Sequence, residues 1–399
     1  MKKHILITGA GIAGLTAANF LAKQGHTITV IDRSTSFDKA GFLISLKSFG
    51  VKIMEELGLT KNLQAASSPS ETVHFVETNE DIIQSIDYDK MNENIERSVL
   101  ISRGGLHQVL YEAIKNDVHI VFDTTISQLE EREDYTNVTL SNGSTLTVDL
   151  VIVSEGLRSA TRERYFSNVQ LEDFNTLYVG GKLKQRHNKQ VGVFKVYIDV
   201  NRMLSIYPIA QDEIAIQCYI RRPEDIGTLK NNAPSILKNA FGNYNAEVQQ
   251  LLDSLLDDGL FFIDKMGMVH ATNLVNGRVV LLGDAGYCPT ALSGMGASLS
   301  IYGAKALAHF IGEYPNDILT ACKSYNTLMQ PIIEKFQTNA KNNAASFLPK
   351  SEADLEKFVE SFRNASAIDV QKIMTDPIVL TKEQEDLSKW AISTAAGDV

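Results

Sequence analysis

The residues best placed to do chemistry open the chain. Gly9-Ala10-Gly11-Ile12-Ala13-Gly14 follows the apolar run Ile5-Leu6-Ile7 and precedes Leu15 to Gln24, whose spacing predicts a helix. Gly9 allows the tight turn, Gly11 lets backbone N–H groups approach a pyrophosphate, and Gly14 permits close packing, so that the helix N-terminus faces the phosphate charge. Ala18 keeps the same packing surface small. Asp32 ends the next strand, Thr27 to Ile31, where a carboxylate accepts hydrogen bonds from an adenosine ribose. Ile12, Ala13 and Arg33 complete the binding set at this turn. The pattern implies a bound dinucleotide and leaves nicotinamide and flavin both open.

The chain returns to the same kind of ligand later. Val279-Val280-Leu281-Leu282-Gly283-Asp284-Ala285-Gly286 is an apolar strand ending in Gly-Asp, followed by Ser293-Gly294-Met295-Gly296-Ala297 and a helix expected to reach Ile311. Ile101-Ser102-Arg103-Gly104-Gly105-Leu106 sets an arginine at a helix start. Val151-Ile152-Val153-Ser154-Glu155-Gly156, with Ser159 and Arg162 beyond, ends another strand. These segments resemble the single-component (group A) FAD-dependent aromatic monooxygenases of the p-hydroxybenzoate hydroxylase type, through about residue 340. The subgroup containing tetracycline-inactivating monooxygenases is the nearer one.

The resemblance implies FAD, with Asp284 at its ribityl and ribose region and Arg103 also in contact. Gly294, Gly296 and Ala297 then place N–H groups and a helix N-terminus beside the flavin pyrimidine edge, where the reduced ring is anionic. It implies NAD(P)H as a transient donor and dioxygen as co-substrate. The resemblance further implies a flavin C4a-hydroperoxide that passes one oxygen to an electron-rich, aromatic or polyketide-like small molecule. The flavin carries the chemistry, so no catalytic side chain is assigned. Five departures mark a divergent branch. Glu155 replaces an aspartate, Gly286-Tyr287 replaces Ala-His, and Thr290-Ala291 follows Pro289 where a proline pair is usual. Ser298 replaces an asparagine, and Ser45, in Gly41-Phe42-Leu43-Ile44-Ser45, stands where relatives often carry aspartate. Ser45 remains in the cofactor-binding set.

The elements that position these residues form an α/β chain. A Rossmann-like FAD-binding domain is expected from 1–75, 95–165 and 270–345, with an antiparallel β-sheet substrate domain from 76–94 and 166–269, and C-terminal helices over 346–399. Short strands are expected at Val118 to Phe122 and Val138 to Leu140, and Asn142-Gly143 turns into a strand over Thr145 to Val153. Gly192 to Val200, Met203 to Ile209 and Glu213 to Ile220 read as three sheet strands joined by short polar turns. Phe194, Met203, Tyr207 and Tyr219 are the substrate-contact candidates there, with Tyr197 as a further wall residue. His107 and His270 read as structural histidines before acid–base groups. The helical C-terminal segment carries Trp390, the only tryptophan.

Composition narrows the class. A chain of 399 residues with 44% hydrophobic and 22% charged residues has the make-up of a globular protein of two or three lobes. Its 38 Lys+Arg against 48 Asp+Glu give a formal net charge of −10, the wrong sign for binding nucleic acid or an anionic membrane. Three widely spaced cysteines suit a reduced compartment, so a cytoplasmic protein, monomer or homodimer, is expected. No run approaches the ~18 apolar residues of a membrane span, and glycines interrupt the apolar start where a signal peptide would continue. A second Gly-x-Gly-x-x-Gly unit and a Cys-x4-Cys pair are missing, which argues against disulfide reductases. Two other readings stay open: an FAD-dependent reductase or dehydrogenase without oxygen insertion, and a non-catalytic flavin-binding protein.

Overall fold

The computed structural model describes residues 1–37, 43–87, 98–184, 192–210, 212–222, 229–257, 260–366, 369–370 and 380–387. The expectations on Gly41, Phe42 and Trp390 lie outside these. Six strands form the sheet under the glycine turn, in the order Val275–Asn276, Val279–Leu281, Leu150–Val153, His4–Thr8, Thr27–Ile31, His119–Val121. All neighbours run parallel except the first pair. The three central strands are nearly continuous apolar runs and are buried, as parallel strands covered on both faces must be. The helix Ile12–Lys23 follows the glycine turn and packs against Gly296–Glu313. Gly25, just past the first of these, takes the left-handed conformation with φ 87°.

The expected strand over Thr145 to Val153 divides at Asp149. Thr145–Val148 pairs with Thr136–Leu140 in a small antiparallel sheet, whereas Leu150–Val153 joins the parallel one. Asp149 marks the change: its carboxylate accepts the His4 N–H at 2.7 Å and its own N–H donates to the His4 carbonyl.

The second sheet has seven strands, in the order Leu260–Ala271, Val169–Lys184, Glu213–Arg221, Arg202–Ala210, Val193–Asp199, Thr72–Val76, Ile82–Asp87. Every join is antiparallel except Val193–Asp199 with Thr72–Val76, because the latter strand arrives from the first domain. Thr72–Val76 therefore lies in this sheet, a few residues before the expected boundary at 76. One face is covered by the helices Leu229–Phe241 and Ala246–Asp257, which pack on Leu177, Ile216 and Cys218. The opposite, inner face gathers Phe75, Met203, Tyr207 and Tyr219, and the helix Glu352–Asn364 closes over it through Phe362. The Phe75 and Phe362 rings meet edge to face at 5.0 Å. Arg158 ties the two domains, its Nε at 3.1 and 3.2 Å from the Asp264 carboxylate oxygens. Among the described residues, no helix is long and apolar enough to cross a membrane.

Candidate functional site

At the end of His4–Thr8 the chain turns through Gly9, whose φ of 98° suits glycine alone. A side chain there would collide with the Ser154 carbonyl at 2.4 Å, and one at Gly14 with the Gly9 carbonyl at 2.1 Å. Gly11 differs: a Cβ added to it meets nothing within 4 Å. Gly11 also caps the helix Ile12–Lys23 without a side-chain bond, and no acidic residue stands in the first turn. The opening N–H groups thus face an open cradle with no anion of their own. Asp32 accepts the Ala10 N–H at 2.7 Å and the Ser34 N–H at 2.8 Å, which fixes the carboxylate at the strand end and leaves lone pairs for a ligand. Arg33, beside it, is exposed.

Glu155 does something the sequence did not suggest. Its carboxylate accepts from Thr8 Oγ1 at 2.7 Å, Ser159 Oγ at 2.7 Å, Thr161 Oγ1 at 2.6 Å and the Thr161 N–H at 3.0 Å. Burial works to raise its carboxyl, but these hydrogen bonds, led by that of Thr161, outweigh it and hold the group below the usual carboxylate range. Glu155 therefore fastens the ends of two parallel strands to the helix Ala160–Tyr165, which Ser159 caps through the Arg162 N–H at 3.1 Å. Arg162 is buried and donates to the Leu157 carbonyl at 2.8 Å.

The second return of the chain lands beside the first turn. Gly283, at φ 64°, approaches so closely that an added Cβ would stand 2.6 Å from Ala13 Cβ and 3.1 Å from Ser300 Oγ. This close approach puts Asp284 next to the glycine turn. A Cβ on Gly296 would stand 3.8 Å from Asp284 Oδ1, so the Gly-Asp and Gly-x-Gly segments share one place. Gly294 is left-handed at φ 61° with open space around it, and Met295 caps the helix Gly296–Glu313 with no side-chain bond. Burial raises the Asp284 carboxyl, and the Arg103 guanidinium draws it back. Arg103 opens the helix Arg103–Glu112 and lies close enough to act electrostatically on Asp284, Cys288 and Tyr178. Two uncapped helix starts, a cation, a carboxylate and open glycine cradles fit a dinucleotide with anionic groups at more than one position. Ala297 follows in the same first turn, and Ser45 lies on Leu43–Leu46, a strand paired with the one that leads into Arg103.

The inner face of the second sheet carries neutral polar groups. Tyr207 accepts the Leu43 N–H at 2.7 Å and donates to Gln217 Oε1 at 3.1 Å. Gln217 in turn donates to the Tyr219 hydroxyl. Tyr178 and Tyr219 stack with ring centroids 5.0 Å apart, and Phe194 meets Tyr207 edge to face at 5.0 Å. Burial pushes the hydroxyls of Tyr178, Tyr207 and Tyr219 upward, so all three stay protonated. Phe194, Met203, Tyr207 and Tyr219 thus share one cluster. Tyr197 does not. It lies in the opposite cluster with its hydroxyl on Glu80, because residues three apart on a strand point to opposite faces. Tyr178 and Gln217 escaped sequence reading. Tyr178 sits in a strand whose first half is too polar to announce itself, and Gln217 is a polar side chain in an otherwise apolar run that no spacing marks.

Both histidines are structural. His107 Nε2 bonds the Ala10 carbonyl while its ring rests on Phe37, and His270 Nε2 bonds Glu172 Oε2 at 2.7 Å. Tyr287 is buried with its hydroxyl 3.2 Å from that of Tyr325, in room left by Gly303. It supports the loop from within the core.

A family model described as an FAD binding domain matches residues 2–317. A flavin-dependent monooxygenase from an unknown prokaryotic organism is 27% identical over 393 residues, covering 95% of this chain and 98% of its own. Among solved structures, the tetracycline destructase Tet(55) aligns with a TM-score of 0.76 and 26% identity, over 92% of this chain and 97% of its own. HpxO of Klebsiella pneumoniae, complexed with FAD and uric acid, aligns with a TM-score of 0.82 and 20% identity, over 94% and 96%. The last is a likeness of fold.

Proposed function

The chain belongs to the family of FAD binding domains and is a flavin-dependent monooxygenase, and on that premise we propose that it uses NAD(P)H and dioxygen to hydroxylate an aromatic or polyketide-like small molecule held against the inner face of the second sheet. The observation that carries this reading is the contact of Gly283 with Ala13. It sets Asp284 at the glycine turn, while Arg103 acts electrostatically on both Asp284 and Tyr178 on the sheet.

The N–H groups opening Ile12–Lys23, with Gly9, Gly11, Ile12, Ala13 and Gly14, hold the pyrophosphate, and Asp32 and Arg33 flank the adenosine end. Asp284, Arg103, Ser45, Gly294, Gly296 and Ala297 hold the rest. When bound, the cofactor supplies hydride acceptance from NAD(P)H and activation of dioxygen. Tyr178, Tyr207, Tyr219 and Gln217 orient the substrate. As protonated phenols and an amide they position a ring hydroxyl or carbonyl, whereas a base would have to lose its proton near neutral pH. Phe194 and Met203 supply apolar contact, and Glu352–Asn364 keeps water from the face through Phe362. Buried thiols at Cys218, Cys288 and Cys322 support a reduced, cytoplasmic setting.

The test is a visible spectrum of purified protein, repeated after anaerobic NADPH, then turnover of a phenol panel under labelled dioxygen. Flavin bands that bleach, and label in a product, are expected. Protein that binds no FAD on reconstitution overturns the cofactor site. NADPH oxidation with unlabelled products points to a reductase instead.

A further inference from the structure

Lys47 has no part in the site as described so far. It stands between the strand Leu43–Leu46 and the helix Ser48–Glu56, which it caps without a side-chain bond. Its N–H donates to Ser298 Oγ at 3.0 Å, in the first turn of Gly296–Glu313. Gly50 packs on the same hydroxyl, where an added Cβ would stand 2.9 Å away. The main chain therefore pins Lys47 beside the turn Gly294-Met295-Gly296, at the end of the strand that carries Ser45.

Its charge is left over. Part of Lys47 is accessible, yet burial lowers its ammonium to about 8. No carboxylate contributes to that shift, and among the described residues the ammonium has no ion-pair or hydrogen-bond partner. Buried lysines without a counter-charge are costly and uncommon.

Resting on the FAD reading above, we propose that Lys47 faces the pyrimidine half of the flavin and stabilises its anionic reduced form, making it a positioning charge for the half-reaction with NAD(P)H. Hydride transfer from NAD(P)H, which leaves as NAD(P)+, adds two electrons and one proton to the ring and leaves one net negative charge on it. A cation in water-poor surroundings favours that state over the neutral oxidised one. The pyrophosphate is the weaker candidate, because the glycine turn before Ile12–Lys23 serves it, whereas Lys47 is tied to the other uncapped helix start.

The experiment first measures FAD content of the wild-type protein, where absence of flavin defeats the premise and not the lysine. Lys47→Met and Lys47→Arg holoenzymes are then compared by dye-equilibrated midpoint potential and by sulfite titration, since sulfite adds to oxidised flavin and leaves the ring negative. ADP competition against FAD for the apoprotein reads the pyrophosphate alone. Lys47→Met is expected to weaken sulfite binding about tenfold, to lower the potential by about 30 mV, the two-electron equivalent of tenfold, and to leave ADP affinity within about twofold. Lys47→Arg is expected to recover most of the loss. Unchanged sulfite affinity and potential in flavin-replete Lys47→Met overturn the proposal. So does a loss of ADP affinity with sulfite binding intact. Lys47→Gln replaces Lys47→Met in all three readings if that variant yields no soluble holoenzyme.

Discussion

Glu155 and Lys47 are both ionisable groups withdrawn from bulk water, and the chain treats them in opposite ways. Three hydroxyls and one N–H meet the carboxylate, while nothing in the described protein meets the ammonium. A buried charge that the protein satisfies is part of the scaffold. One that it leaves unsatisfied, at a place where glycines also leave open space, belongs to ligand binding. The same contrast separates Gly9, closed against Ser154, from Gly11, open to the cleft.

The comparison breaks first at Glu155. Glu155→Ala strands three hydroxyls and is expected to cost about 3 kcal/mol of stability, read by urea unfolding; a loss under about 1 kcal/mol makes the cluster incidental. The pH dependence has a fixed sign. Because the folded carboxyl sits below its unfolded value, the ionised group's contribution is complete above the ordinary carboxylate range and disappears as pH falls through the lowered one. Unfolding of Glu155→Gln is expected to lose that acid-side slope.

Gly11→Ala sharpens the second contrast. The added methyl meets no protein atom, so stability is expected to change by less than about 0.5 kcal/mol while FAD affinity falls about tenfold in a flavin-fluorescence titration. A stability loss with affinity unchanged reverses the assignment. Lys47→Met, which removes an uncompensated charge, is expected to stabilise the apoprotein by about 1 kcal/mol in thermal unfolding, opposite in sign to Glu155→Ala. The smallest expected effect separates the two faces of the second sheet. Tyr219→Phe raises KM for a turned-over substrate about threefold to tenfold with FAD content unchanged, whereas Tyr197→Phe leaves KM alone, because its hydroxyl serves Glu80 on the far face.

Much of the candidate site's backbone was legible because its requirements are local. A strand that must turn sharply, admit a pyrophosphate and start a helix writes glycine at Gly9, Gly11 and Gly14, and Gly283 and Gly294 mark two more backbone constraints of the same sort. Long apolar strands announce themselves for a similar reason, since both faces of Leu150–Val153 are covered. Period two also predicts which residues share a face, and placing Tyr197 beside Phe194 ignored it.

What the sequence by itself determined is thus the turn chemistry, the parallel sheet and the family of cofactor, because each depends on residues within a few positions of one another. Only the tertiary structure decided which polar groups meet. Glu155 finds Thr8 across 147 positions, Lys47 finds Ser298 across 251, and Tyr207 finds Leu43 across 164. No residue type or spacing encodes such pairings. They follow from the packing of Ile12–Lys23, Gly296–Glu313 and the two sheets, and that packing distinguishes the structural carboxylate from the lysine left for a ligand.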